Sequence, residues 1–260
     1  MNVRSLINIG AGRPGKRPPD GYFVYARAMQ PKPWIIFDAD NTLWALEHLY
    51  DEARDEMCNY VAAKGFAAMD VEEFQQKRDA ELVATYGYSA CRFARSFEDT
   101  LLQFLPSSPS EDVRHVRFLA LQVFERKATP IEGLEELLRA LRPHFSLGII
   151  TAGERWVQER RLEDFHLREM FEVIDIVEKK TPQIFSDFCN EHGVDCKKSW
   201  VVGDSLNSDV TPARSAGLKA IWVRAKNWKP VEGHAEVLED GLVAIDSLVE
   251  LAKVPGLLQA

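Results

Sequence analysis

Two carboxylates one residue apart, Asp38 and Asp40, terminate the short apolar run Trp34-Ile35-Ile36-Phe37. Acids this close repel each other. The arrangement is tolerable when a cation sits between them or when one of them carries a proton. A strand end followed by an Asx turn at Asp40 or Asn41 accounts for this stretch equally well on its own. A second apolar run, Trp200-Val201-Val202, ends in Gly203-Asp204-Ser205-Leu206-Asn207-Ser208-Asp209. Its two acids are five positions apart, so both can face one spot across a tight turn into a helix. Between these runs, Ile149-Ile150 leads into Thr151-Ala152-Gly153, a hydroxyl with backbone N–H donors suited to a phosphate. An N-capping threonine is the ordinary alternative there. Lys179 and Lys180 stand just before Pro182, where a lysine offers positive charge to a phosphoryl group. Two solvated lysines are the commoner reason for such a pair.

Strands must hold these groups. Trp34 to Phe37, preceded by Pro31 and Pro33, is too short and too apolar for a surface helix and reads as a buried parallel strand. Beyond Pro130 strands and helices alternate. Strands are predicted at residues 145–151, 171–177, 199–203, 218–223 and 242–245, and helices at 133–141, 154–165, 182–191, 210–216 and 247–252. This pattern predicts an α/β fold with a doubly wound, Rossmann-like parallel sheet, whose ligands bind beyond the carboxyl ends of the strands. Residues 46–127 carry apolar residues at helical spacing and almost no strand-like run, which predicts an all-helical cap domain inserted after the first strand. A plain crossover needs far less chain. The core domain is then 33–45 with 128–260. Residues 1–32 hold Arg4, Arg13, Lys16, Arg17 and Arg27 among Gly and Pro and read as a flexible basic extension, with Met29 a possible alternative start.

Taken in order, Asp38-x-Asp40-x-Thr42, then Thr151, then a lysine before Pro182, then Gly203-Asp204 with Asp209, resemble the four motifs of the haloacid dehalogenase-like superfamily. The resemblance covers roughly residues 33–225 and implies the following roles. Asp38 is a nucleophile that forms an aspartyl-phosphate. Asp40 is the acid for the leaving group and then the base for water. Mg²⁺ is the cofactor, with Asp38, Asp40 (through its backbone carbonyl), Asp204 and Asp209 as its site. Thr42, Thr151, Ala152 and Gly153 hold the phosphoryl group, and Lys179 or Lys180 neutralises charge. Lys179, three positions before the proline, fits the family spacing slightly better. The helical block is similar to that family's cap. Dehalogenases of the superfamily do not keep an aspartate two positions after the nucleophile. A halide needs no proton and an alkoxide does, so Asp40 points to phosphate chemistry.

Within the insert, Tyr86-Gly87-Tyr88-Ser89 with Arg92, Phe93 and Arg95 is the densest mixture of aromatic, hydroxyl and cationic groups. Arg92 is the candidate contact to a carboxylate or second anion on the substrate. Trp44 and His48 are candidates for the entrance. A net charge of −8 argues against a nucleic-acid or anionic-membrane partner. No apolar run reaches the length of a membrane span. The four scattered cysteines form no zinc pattern and suit a reducing cytoplasm. The expected activity is Mg²⁺-dependent hydrolysis of a small phosphorylated metabolite, nucleotide-like or phosphoglycolate-like, by a monomer or homodimer. A phosphotransferase using the same nucleophile, and a non-catalytic binding protein on the same fold, are the alternatives.

Overall fold

A computed structural model describes residues 32–224, 235–255 and 257–258. The basic extension, and with it Met29, lies outside the described residues apart from Lys32. The strand β1 (Trp34–Phe37) is wholly buried. It sits between β4 (Ser146–Ala152) and β6 (Trp200–Gly203), parallel to both. With β5 (Val173–Val177), β7 (Lys219–Val223), β9 (Leu242–Ile245) and β8 (Glu236–Glu239), the sheet order is β5-β4-β1-β6-β7-β9-β8. β1 is apolar throughout because both its faces are covered. Ile35 and Phe37 join one core cluster, while Trp34 and Ile36 join the other, packed with Phe185 and Phe188 of α7 (Pro182–His192).

The register aligns the strand ends. Phe37 lies opposite Ile149 on one side and Val202 on the other, and the Asp38 amide donates to the Val202 carbonyl at 2.8 Å. After β1 the chain runs to β4 and β5 on one flank, then crosses back to β6 on the other. The reversal opens a crevice at the carboxyl end of β1, the usual ligand position in such sheets.

Four helices fill the insert: α1 (Glu47–Ala62), α2 (Ala68–Tyr86), α3 (Ala90–Phe104) and α4 (Ser110–Glu125). Their apolar stripes face one another. In α3 the buried Phe93, Phe97 and Leu101 recur every fourth residue, and the Phe93 and Phe97 rings lie 4.7 Å apart. This cluster is continuous with the apolar face of the sheet.

Four elements differ from expectation. β2 (Trp44–Ala45) pairs antiparallel with β3 (Thr129–Pro130), tying together the two ends of the insert. Two-residue strands fall below any periodic signal. β8 is antiparallel and exposed throughout, added to the sheet edge by the turn at Asp240-Gly241. The last expected helix is a 3₁₀ turn, Leu248–Lys253, opened by a capping box of Ser247 and Glu250. Among the described residues, no helix is long and apolar enough to cross a membrane. α5 (Leu134–Leu141), α6 (Arg155–Asp164) and α8 (Thr211–Ser215) complete the layers.

Phe97 is fully buried at the centre of the insert. Phe97→Ala is expected to lower unfolding free energy by about 3–5 kcal/mol, read from equilibrium urea denaturation. A loss near zero would show that the insert packs more loosely than described.

Candidate active site

The chain leaves β1 in a tight turn. The Ala39 carbonyl accepts from the amides of Thr42 and Leu43, and Asn41 takes a positive φ of 59°. Asparagine tolerates that conformation better than most residues. Its side-chain oxygen accepts from the amides of Leu46 (2.9 Å) and Glu47 (3.2 Å), the first donors of α1. These bonds reach five and six residues along the chain, so Asn41 holds the start of the first helix of the insert rather than closing a local Asx turn.

Asp38, Asp204 and Asp209 converge at the ends of β1 and β6, each with a carboxylate oxygen within 4.8 Å of the others. Lys180 lies among them. Its ammonium donates to Asp209 Oδ1 at 2.6 Å and to Asp38 Oδ1. Asp209 Oδ2 also accepts from the Ser205 amide at 3.0 Å. Asp209 reaches this place because the turn Leu206–Val210 is π-helical, a wider coil common at functional sites. Gly203 is required beside it. A Cβ there would lie 2.4 Å from the Asp209 carboxyl carbon. The Trp222 indole holds the neighbouring backbone, donating to the Asp204 carbonyl at 2.9 Å.

Of the two lysines, Lys180 is buried and Lys179 is exposed. The spacing argument that favoured Lys179 is corrected by local geometry. Thr181 caps α7 in an extended conformation, its hydroxyl accepting from the Ile184 amide, and this turns residue 180 inward.

Burial and the neighbouring acids outweigh Lys180 and push the Asp38 carboxyl up to about 8. Burial and Asp209 push Asp204 up to about 7. Lys180 moves upward too, because the attraction of Asp38 and Asp209 exceeds the cost of burying its charge. When all are ionised, three carboxylates face one ammonium and two negative charges remain. An all-oxygen donor set with that deficit fits a hard divalent cation.

Asp40 is held apart from this cluster. Its Oδ1 accepts from the Trp44 indole at 2.8 Å. Its Oδ2 accepts from Gln158 Nε2 at 2.8 Å and Arg161 Nη1 at 2.6 Å. Gln158 and Arg161 were missed in the sequence. They come from α6, where Val157 and Leu162 mark the inward stripe and Gln158 and Arg161 fall on it. Two polar residues on a buried helical face were the available signal. Trp44 is fully buried in this role, and His48 is exposed and away from the pocket.

Thr42 and Thr151 are both buried, and each hydroxyl lacks a hydrogen-bond partner. Thr151 is the penultimate residue of β4, and the two residues after it, Ala152 and Gly153, line the same cavity as Asp38. Arg92 also lines it. Its guanidinium is engaged by the Asp79 carboxylate and donates to the Asp79 carbonyl at 3.3 Å, so the expected free cation is already neutralised. Arg95 is bound to Asp99 at 2.8 Å on the outer face. The cavity, about 420 Å³, lies between sheet and insert. Glu154 bridges the two, its carboxylate accepting from the Ala90 amide at the start of α3 at 3.1 Å.

A doubly wound sheet with acids and a lysine on successive strand ends, roofed by a helical insert, defines a class of α/β hydrolytic enzymes. The chain belongs to the haloacid dehalogenase-like hydrolases, whose family model matches residues 33–217. It falls with that family's phosphatases. The pyrimidine 5'-nucleotidase YjjG of Escherichia coli (strain K12) is 27% identical over 211 residues, covering 78% of this chain and 90% of that protein. The glyceraldehyde 3-phosphate phosphatase of Methanopyrus kandleri is 25% identical over 205 residues, covering 76% and 86%. Among solved structures, a haloacid dehalogenase-like hydrolase from Xanthomonas campestris superposes with a TM-score of 0.71 at 21% identity, covering 85% of this chain and 93% of that one.

The raised carboxyls give a sign to pH dependence. Without a cation, the folded chain keeps protons that the unfolded chain releases above the ordinary carboxylate value of 3.8. Stability from this source is complete below that value and is lost as pH rises through about 7 and about 8. Metal-stripped protein is expected to lose Tm between about pH 5 and about pH 8.5, and a saturating divalent cation to restore more Tm at the higher pH. Asp204→Asn should flatten the slope. Equal cation shifts at both pH values in differential scanning calorimetry would contradict this account.

Proposed function

We propose that the chain hydrolyses small phosphomonoesters with Mg²⁺, through a phosphorylated Asp38. The observation that carries this reading is the buried cluster of Asp38, Asp204 and Asp209 around Lys180, at the strand ends facing the cavity. Bound there, Mg²⁺ would be held by Asp38 and Asp204, with Asp209 supporting, and would supply charge neutralisation for the phosphoryl oxygens. The phosphatases and nucleotidase among the relatives support the same reaction class. The free thiols of Cys58, Cys91, Cys189 and Cys196 support a reducing cytoplasm as its setting.

In this mechanism Asp38 attacks phosphorus while Lys180 keeps its charge beside the attacking carboxylate. The unpartnered hydroxyl of Thr151 and the backbone of Ala152 and Gly153 receive the phosphoryl oxygens. Asp40 first protonates the departing alkoxide and then takes a proton from the water that cleaves the phosphorylated Asp38. In the geometry described, both Asp40 oxygens accept hydrogen bonds, which suits the second half of the cycle. The first half needs Asp40 to turn from Arg161 towards the leaving oxygen.

Asp38→Asn and chelation of the metal are each expected to abolish phosphate release. Asp40→Asn should separate leaving groups. Alkyl phosphates should slow by roughly 10²–10⁴-fold, and a nitrophenyl ester, whose leaving group needs no proton, far less. The comparison of kcat/KM on both ester types, which reads formation of the phosphorylated Asp38 and not its later hydrolysis, decides it. Full turnover by Asp38→Asn would sink the nucleophile assignment, and equal slowing of both esters would sink the acid role of Asp40.

A further inference from the structure

A second cavity, about 790 Å³, adjoins the catalytic one along Tyr88, Ser89, Gly153, Glu154 and Glu178. It lies between the turn joining α2 to α3 and the start of α6. Three aromatic side chains line it and are nevertheless exposed: Tyr86 (42%), Tyr88 (77%) and Trp156 (47%). Among the described residues, the other strongly exposed aromatic is Phe118, on α4. Exposing three large rings costs hydration free energy. Their gathering at one cleft, next to a reaction site, marks a place where apolar surface is covered when something binds.

Charge narrows what that can be. The arginines of the catalytic cavity are each matched by a carboxylate: Arg54 by Asp51, Arg92 by Asp79 and Arg161 by Asp40. In the adjoining cleft Arg155 is matched by Glu159, and Glu154 and Glu178 make no ion pair among the described residues. While Asp40 holds Arg161, as in the geometry described, no surplus positive charge is left for a second anion. Hydrogen-bond donors are left: Nε of Arg92, and Nε and Nη2 of Arg161, are buried without partners. These suit hydroxyl or carbonyl oxygens of an uncharged group.

We propose that the adjoining cleft receives the leaving group, and that the preferred substrate is a phosphomonoester of a neutral alcohol bearing a planar ring, as in a nucleoside monophosphate. The ring stacks against Trp156 and Tyr88, and the polar linker passes the unpartnered arginine donors. This rests on the phosphomonoesterase reading for the phosphoryl end alone. A substrate with a carboxylate or a second phosphate meets Glu154 and Glu178 and is disfavoured.

The test compares adenosine and uridine 5'-monophosphates with ribose 5-phosphate, which keeps the sugar and lacks the ring, and with phosphoglycolate, which adds an anion. Base–aromatic stacking predicts a ring advantage in kcat/KM of roughly 5- to 150-fold, with phosphoglycolate poorest. Trp156→Ala should collapse the ratio of nucleotide to ribose 5-phosphate, and Trp156→Phe should largely keep it. Calorimetric binding of the same compounds to Asp38→Asn reads the preference without turnover. No phosphate release from any ester, with the ring advantage kept in binding, would remove the hydrolase reading and leave the cleft. Release with no ring advantage, a ratio untouched by Trp156→Ala, or phosphoglycolate as best substrate would overturn the cleft and leave the hydrolase.

Discussion

The ammonium of Lys180, shared between Asp38 and Asp209, is the interaction on which the rest of the site depends. Two like unit charges less than 5 Å apart repel by roughly 3–4 kcal/mol even at an effective dielectric near 20. Asp38, Asp204 and Asp209 are that close, and Asp38 and Asp209 are almost wholly removed from water. Lys180 offsets part of the repulsion, and burial, together with the repulsion that is left, holds the Asp38 and Asp204 carboxyls above their ordinary range. The remainder is an attraction waiting for a divalent cation. The same feature that strains the metal-free fold gives the site its affinity for positive charge and, through it, for phosphate.

The fold concentrates these charges with short-range devices. Parallel pairing on both sides of β1 puts Asp38 level with the end of β6. The wide turn at Leu206–Val210 brings Asp209 back over Gly203, where the absence of a Cβ leaves room for its carboxylate. Asn41 turns the chain out of the sheet and caps α1, so the loop that carries the acids also launches the helical insert. The ribbon of β2 and β3 ties the other end of that insert to the same place. The insert is thereby tied at both ends to the loop holding Asp40.

Much of this was legible in the sequence. Buried parallel strands are continuous apolar runs, so β1, β4, β6 and β7 stood out, and the acids that follow β1 and β6 stood out with them. The order of motifs then carried the family. What escaped was decided by tertiary contacts. Lys179 and Lys180 are chemically identical in sequence, and only the turn that lets Thr181 cap α7 points one of them inward. Arg160 and Arg161 pose the same problem on α6. Its mixture of Arg, Glu and Gln shows little period, yet Arg161 is buried against Asp40 and Arg160 is not. β8 is Glu-Val-Leu-Glu with every residue exposed, so no burial pattern could announce it. Arg92 lines the cavity, and its partner Asp79, thirteen positions away on another helix, could not be seen from spacing.

That last point changes how the pocket reads. An arginine beside a phosphate site suggests a receptor for a second anion until its partner is known. Here each cavity arginine brings its own carboxylate, so the guanidinium groups act as oriented donors with little free charge. The strong positive field is confined to Lys180 and to the cation the acids can hold. In the proposed reading, selection for a phosphoryl group therefore belongs to the sheet. Discrimination among alcohols belongs to neutral hydrogen bonds and exposed rings at the seam with the insert. The two tasks sit on different elements, joined by Glu154, which follows the phosphate loop and holds the first amide of α3. Such a division lets the seam residues change their preferred alcohol without disturbing the charge balance that the chemistry requires.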